Sequence, residues 1–170
     1  MQQPEPPRPT IVVFDIDGVL ADVRHRLHHV ERKPKDWASF FAAIGADSPL
    51  EVGVALARER AIAGHTIVYL TGRSESQREI TVAWLSEYGL PEGRLVMRRD
   101  DDRRPARLYK PEALRRIGSQ GTVIEVIDDD RTVVEVLRAA GWPVTHATWM
   151  TIEADEQQSL FAAQEIDGRT

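Results

Sequence analysis

The sequence predicts an α/β fold, a doubly wound Rossmann-like layer of about five parallel strands, and three observations carry that prediction. Short apolar runs rich in β-branched residues recur along the chain, stretches with helical signals separate them, and two of the runs end in carboxylates. The runs are IVVF at 11–14, TIVYL at 66–70, RLVM at 94–97, VIEVI at 123–127 and a weaker PVTHA at 143–147. Their apolar residues are continuous rather than alternating, which predicts strands buried on both faces, as in a parallel sheet covered by helices. Such a sheet is wound by right-handed crossovers and binds ligands at the carboxyl ends of its strands.

The helices between the runs have readable ends. Ser48-Pro49-Leu50-Glu51 offers a capping serine, a first-turn proline and a returning glutamate before VGVALARERAIA, and Gly64 suits a left-handed stop. Ser74 and Gln77 repeat that pattern before REITVAWLSEY, which ends at Gly89-Leu90-Pro91. A third helix is expected to start near Pro111, and a fourth to run through TVVEVLRAA to Gly141. Residues 1–9, with four prolines, read as a disordered or extended lead-in, so order is expected from Thr10. Residues 10–150 form the body. The acidic stretch 151–170 reads equally as a solvated tail or as a helix through SLFAAQEI, and no chemistry is expected there.

With 170 residues, 42% hydrophobic and 29% charged, the chain has the profile of one globular domain with a core of its own. It has no cysteine, which excludes disulfides, thiolate metal sites and cysteine nucleophiles, and fits a reducing compartment, with the cytoplasm as the expected location. No window has the roughly 18 apolar residues of a membrane span, and MQQPEPPRPT has no apolar signal core, so no membrane partner is expected. Of the net charge of −5, −4 sits in residues 151–170 and residues 1–10 cancel through Glu5 and Arg8, leaving −1 on the body. That argues against coating nucleic acid by charge alone, though not against gripping a few phosphates locally.

The most informative stretch is IVVFDIDGVL. An apolar strand delivers Asp15 at its end, Asp17 follows two residues on, and Gly18 lets the backbone turn sharply. VIEVI ends in Asp128, Asp129 and Asp130. If both strands are central and parallel, these carboxylates gather at one edge of the sheet, where a hard cation such as Mg²⁺ would offset their repulsion. D-x-D-G is weak alone, since calcium loops share it, but the EF-hand version needs a glutamate at its twelfth position and Arg26 stands there. The aspartate run also suits the N-terminus of the helix near Thr132. His25, His28 and His29 lie at helical spacing but lack the acidic pattern of a metal trio.

FDIDGVL, YLTGR, the lysine of LYKPEAL and VIDDD, in that order over roughly residues 10–147, resemble the four motifs of the haloacid dehalogenase superfamily of phosphoryl-transfer enzymes. The resemblance implies Asp15 as nucleophile, Asp17 as general acid and base, Thr71 as a ligand of phosphate oxygen, Lys110 as the stabilising cation, and Asp128 with Asp129 as acids on the magnesium side. It places Asp15 and Asp17 with Asp128 and Asp129 as the Mg²⁺ residues. Dehalogenases of the superfamily lack the second aspartate, so Asp17 favours phosphate esters.

Between Asp17 and Thr71 lie 53 residues, of which the expected helix and strand take nearly half, leaving a flap and one short helix near DWASFFAAI. That predicts a minimal cap or none, and an open site able to admit a phosphate at the end of a large molecule. The flap DVRHRLHHVERKPK, residues 22–35, carries five basic and two acidic residues, and RRDDDRRPAR, residues 98–107, carries five arginines and three aspartates. Both are candidate phosphate-holding segments at the mouth of the site, with solvated loops of mixed charge as the plain reading.

Within the superfamily the chain resembles the 3'-phosphatase domain of bacteriophage-type polynucleotide kinase/phosphatase, in the basic flap, in the arginine after Thr71-Gly72, and in IDDDRTVVEVLR at 127–138. This implies that Gly72, Arg73 and Arg26 contact the substrate phosphate. The sequence departs from that family in having threonine rather than serine at 71 and in lacking a G-x-x-x-x-G-K-[ST] phosphate loop, which leaves a stand-alone phosphatase with a separate kinase or ligase partner. The expected function is Mg²⁺-dependent removal of a terminal phosphate, foremost the 3'-phosphate of nucleic-acid ends, DNA or RNA, or of nucleotides. The alternatives are a phosphatase for nucleoside monophosphates or sugar phosphates, and a silent phosphate-binding module, against which the intact motif residues argue.

Overall fold

A computed structural model of the chain describes residues 7–31 and 33–170. The first six residues of the proline-rich lead-in, and Arg32 of the flap, lie outside the described residues. Five strands form one fully parallel sheet: β1 (Thr10–Phe14), β4 (Thr66–Ser74), β5 (Gly93–Arg98), β6 (Thr122–Asp128) and β7 (Val144–His146), in the order β5-β4-β1-β6-β7. Every run singled out in the sequence is a strand. β2 (Ala21–Asp22) and β3 (Ser48–Pro49) make a separate two-residue antiparallel ribbon.

Side-chain alternation on the strands builds two cores. Ile11, Val13, Val68, Leu70 and Val126 face α5 (Ala106–Gly118) and α6 (Arg131–Ala139), through Ala113, Leu114, Ile117, Val133 and Leu137. Val12, Phe14, Ile67, Tyr69 and Ile127 face the other way, onto Ala57 of α3 (Glu51–Ile62) and Trp84 of α4 (Arg78–Glu87). Each fully buried Val, Leu, Ile or Phe contributes about 1.5–3 kcal/mol by leaving water, so β1, buried from Ile11 to Phe14, is strongly anchored, as is β4 from Ile67 to Leu70. A third, smaller cluster joins α1 (Arg24–Glu31), α2 (Trp37–Ala42) and α7 (Ala154–Phe161) around Leu27, Val30, Phe40 and Leu160.

The chain winds outward from β1 through β4 to β5, then crosses over α5 to β6 on the other side of β1. The reversal lies between β1 and β6, where an α/β sheet opens a crevice at its carboxyl end. Asp15 and Asp128 border that crevice, and the Asp15 amide donates to the carbonyl of Ile127 at 2.9 Å. Among the described residues no helix is long and apolar enough to cross a membrane.

Several helix ends differ from expectation, each for a local reason. Ser48 is no cap: Ser48-Pro49 pairs as a strand with Ala21-Asp22, and α3 starts behind Leu50, whose amide donates to Leu20 O at 2.7 Å. Ser74 spends its hydroxyl on Ser76 and Gln77 side chains in a 3₁₀ turn, and α4 begins four residues later. α5 begins at Ala106 behind Pro105, with Pro111 inside it, so Lys110 projects from a helix rather than from the loop before one. Asp130 caps α6 as anticipated, accepting from the amides of Thr132 at 2.8 Å and Val133 at 3.3 Å. Of the 151–170 stretch, residues 154–161 are helix, held by a Glu153/Glu156 capping box, followed by a π-helical turn at Ala162–Ile166. In the lead-in, Pro9 O accepts from Thr122 N at 2.8 Å and Arg8 binds the carbonyls of Gly118 and Ser119.

Candidate active site

β1 ends at Phe14, and the next seven residues fold into a tight loop in which Leu20 N and Ala21 N both donate to Ile16 O. Gly18 makes the loop possible twice over. Its φ is +78°, and a side-chain carbon there would collide with the Asp129 carboxylate. The loop sends Asp15 and Asp17, 4% and 2% exposed, in different directions into two different charge environments.

Asp15 meets the acids at the end of β6. Oxygens of Asp15, Asp128 and Asp129 lie within 4.8 Å of one another, a grouping that could hold a metal ion. Lys110, reaching in from α5, lies 2.9 Å from Asp15 and 2.6 Å from Asp128. Three carboxylates share one ammonium. Burial, then the Asp128 and Asp17 charges, against the opposing pull of Lys110, push Asp15 up to about 7. Burial raises Asp128 as well, and burial with the Asp15 and Asp128 charges raises Asp129 well above the usual carboxylate range. Lys110 is stabilised as a cation: burial works against its charge, but Asp128 and Asp15 outweigh it. Oδ1 of Asp129 is shut away without a hydrogen-bond partner among the described residues, an orphan acceptor of the kind a cation satisfies. The His146 ring lies 3.1 Å from the Asp129 carbonyl, and both residues line a cavity of about 220 Å³ with Thr148, Met150 and Gln157.

Asp17 faces the other way. Its Oδ1 accepts from Arg73 Nε at 3.0 Å and Nη2 at 2.5 Å, and from Arg26 Nη2 at 2.9 Å. Burial alone would raise its pKa, but the Arg73 and Arg26 charges prevail and hold it below the usual carboxylate range. The same two arginines bind Asp47, Arg26 Nε at 2.7 Å and Arg73 Nη2 at 3.0 Å. Asp17, Asp47, Arg26 and Arg73 thus form a fully buried, neutral quartet. The resemblance placed the Asp17 carboxylate among the metal residues; the structure does not bring it to the three-acid cluster, because both of its oxygens are engaged elsewhere.

Thr71 and Gly72 lie within β4, which continues past Leu70 until Ser74 pairs with Arg98. The Thr71 hydroxyl is buried and accepts from Arg73 N at 3.2 Å. Gly72 needs its bare α-carbon, since a side chain would run into the backbone of Thr170. The Thr170 hydroxyl donates to Asp17 Oδ2. The 162–170 segment therefore reaches the residues of the site. The open site expected from the short insert is corrected: among the described residues there is no globular cap, yet Asp15, Asp17, Thr71, Arg73 and Lys110 are buried.

Sequence reasoning missed Asp47. It sits in FFAAIGADSPL, beside the serine read as a cap, and its partners are 21 and 26 residues away. Its carbonyl accepts from the Trp84 indole at 2.7 Å, which fixes it against the second core. The arginine-rich loop is largely self-satisfied: Arg98 is buried against Gly72 O at 3.0 Å and over the Tyr109 ring, while Arg99 and Arg104 pair with Asp101 and Asp102. Of the histidine trio, only His25 joins the site, 2.8 Å from Asp47.

This architecture recurs in known proteins. In two solved structures, titled as the Pnkp1/Rnl/Hen1 RNA repair complex and the Pnkp1/Rnl/Hen1 complex, the matching chains superpose with a TM-score of 0.70 at 24% and 23% identity. The matches cover 82% and 87% of this chain but 42% and 49% of theirs, so it spans less than half the length of those relatives. Class C acid phosphatase from Bacillus anthracis, with tungstate bound, superposes with a TM-score of 0.62 at 12% identity, over 90% of this chain and 78% of its own. No curated protein sequence matches. The family model described as the polynucleotide kinase PNKP phosphatase domain, however, matches residues 9–148. By that match the chain belongs to the PNKP phosphatase domain family and is a phosphatase of the haloacid dehalogenase superfamily.

Proposed function

We propose that the protein is a Mg²⁺-dependent phosphomonoesterase that removes the 3'-phosphate from nucleic-acid ends through an aspartyl-phosphate on Asp15. The observation that carries this reading is the division of charge between the two aspartates of one loop: Asp15 in a cluster short of positive charge, Asp17 in one that is balanced. The deficit and the orphaned Asp129 oxygen suit Mg²⁺, held by Asp15, Asp128 and Asp129. Bound there, the ion would supply charge neutralisation for a carboxylate approaching a phosphate dianion.

The chain's own groups account for the rest. An Asp15 oxygen attacks phosphorus in line, the bond to the alcohol oxygen breaks, and that oxygen takes a proton from Asp17. In the second half, Asp17 takes a proton from water, the water oxygen attacks phosphorus, and the bond to Asp15 breaks to release phosphate. Lys110 offsets the repulsion along the attack path, and the Thr71 hydroxyl donates to a phosphate oxygen. Asp17 can hold a proton only when its arginine partners loosen. An arriving phosphate does that by drawing Arg73 and Arg26 toward itself, and Arg26 Nη1, buried without an acceptor among the described residues, is already a spare donor. Kinase or ligase steps, where end repair needs them, come from a separate partner, as the Rnl and Hen1 chains beside Pnkp1 suggest.

The test is phosphate release, with Mg²⁺ and with EDTA, from a 3'-phosphorylated oligonucleotide, its 5'-phosphorylated counterpart and a 3'-mononucleotide, with Asp15→Asn as control. Selective Mg²⁺-dependent release from the 3'-phosphorylated oligonucleotide is expected. Preference for the mononucleotide would move the assignment to small-molecule metabolism.

A further inference from the structure

The segment from 162 to 170 lies across the two basic stretches that the sequence singled out. Glu165 is buried and pairs with Arg107 of the arginine-rich loop at 2.5 Å, and Asp167 pairs with Lys35 of the flap. Gly168, at φ +57°, packs on the carbonyls of Arg103 and Arg104, and the Arg169 guanidinium lies 5.2 Å from the Trp37 ring centre. Thr170 then reaches Asp17, with its backbone against Gly72. Amides of Asp167 and Arg169 donate to the carbonyls of Ala162 and Ala163 at 2.8 and 2.9 Å, so the segment is itself ordered.

The chemical character of these contacts is specific. After the first half-reaction the product alcohol would present a hydroxyl to the Asp17 carboxylate, and the Thr170 hydroxyl makes that contact here. The two acidic side chains neutralise cations that flanking phosphates of a strand would otherwise neutralise. We propose that residues 165–170 are an intramolecular mimic of the substrate strand: Glu165 and Asp167 stand on Arg107 and Lys35 where backbone phosphates bind, Thr170 takes the alcohol position, and a phosphorylated strand end competes with the segment for all three. This rests on the phosphatase reading above and adds to it two strand-binding positions, Lys35 and Arg107, and a control on access.

The geometry makes the exchange feasible. The Lys35–Asp167 pair lines a cavity of about 820 Å³, and the Arg107 side chain is 40% exposed, so an incoming polyanion reaches both pairs from solvent. Inorganic phosphate carries no alcohol and no flanking phosphates, so it competes for none of the three contacts of the segment. A substrate that must open a closed form binds more weakly by the fraction of molecules that are open.

The test uses the full chain carrying Asp167→Asn with Arg169→Ala, neither in the catalytic set. KM for a 3'-phosphorylated oligonucleotide should fall about tenfold, KM for a 3'-mononucleotide less, and the inhibition constant for inorganic phosphate should stay within twofold. Unchanged oligonucleotide KM, or KM and phosphate inhibition moving together, would overturn the proposal. In a second arm, Lys35→Cys/Asp167→Cys, in a chain with no other thiol, is joined by a short bismaleimide. The joined form should lose oligonucleotide turnover at least tenfold relative to the two single-cysteine variants treated alike, and full turnover would overturn the proposal. Hydrogen exchange without substrate separates the two readings. Amides of 167 and 169 should be protected in the wild type and exposed in the double variant, and fast exchange in the wild type sinks the mimic whatever the activity. Protection with no phosphate release from any ester would instead sink the phosphatase reading.

Discussion

Two charged clusters lie on either side of the loop after β1, and they solve the same problem in opposite ways. Around Asp17, two carboxylates meet two guanidinium groups and the sum is zero. Around Asp15, three carboxylates meet one ammonium, and the pKa of every acid is raised. A balanced buried cluster is a framework, since removing one member strands a charge at a cost of about 3–5 kcal/mol. An unbalanced one is a receptor, since its burial is tolerable only with a proton or a cation from outside. The difference teaches that two aspartates two residues apart on one loop can be held by opposite physics.

Exchanging one atom on each side tests the contrast most sharply. Asp15→Asn should lower phosphate release at least about a thousandfold, because it removes the proposed nucleophile, while the metal-free protein gains stability from the loss of one buried negative charge. Asp17→Asn, read in the same assay, should lower kcat by about 10²–10⁴-fold. Asp47→Ala leaves two buried guanidinium groups on one carboxylate and should cost about 3–5 kcal/mol in urea denaturation. Asp129→Asn, at the half-buried acid of the other cluster, should cost little without Mg²⁺ and lose the stabilisation expected from added Mg²⁺.

A smaller effect follows from pH. Asp15, with its ordinary pKa of 3.8 pushed up to about 7, holds a proton in the folded chain that the unfolded chain has released. That contribution to stability is full below pH 3.8 and is lost as pH rises through about 7. On the proposed reading Mg²⁺ replaces the missing proton, so its thermal shift should be about 5 °C or more at pH 8 and about 1 °C at pH 5. An equal shift at both values would detach the ion from this cluster. The smallest change is Asp130→Ala, which removes the cap of α6 and should cost about 1 kcal/mol by denaturation.

How much of this was legible depended on whether the signal was local. Strands are announced by runs of β-branched residues, Asp15, Asp17, Thr71 and Asp128 by their place at or near the ends of those runs, and Lys110 by its place in the order of motifs. Asp47 is announced by nothing nearby. A lone acid after an apolar helix reads as a cap or a turn, and only the meeting of residues 26, 47 and 73 reveals it as a counter-ion. Pro111 misled in the opposite sense: a proline reads as a first-turn residue, because deeper in a helix it lacks an amide donor and crowds the preceding turn, yet the turn before Pro111 is already helical. Thr170 was invisible because its partner is 153 residues away.

The two-residue ribbon of β2 and β3 sets Ala21 beside Pro49, so the 25 residues from 23 to 47 leave the body and return to it at nearly one point. An insert tied off in this way can be exchanged without stretching the sheet, and doubling its length adds only about 0.6 kcal/mol of closure entropy. Two tethers limit that freedom. Arg26 and Asp47 both belong to the insert and complete the buried quartet with Asp17 and Arg73, so a replacement that omits either leaves that quartet out of charge balance. The chain thus combines an interchangeable sleeve with a pair of residues that must travel with every version of it.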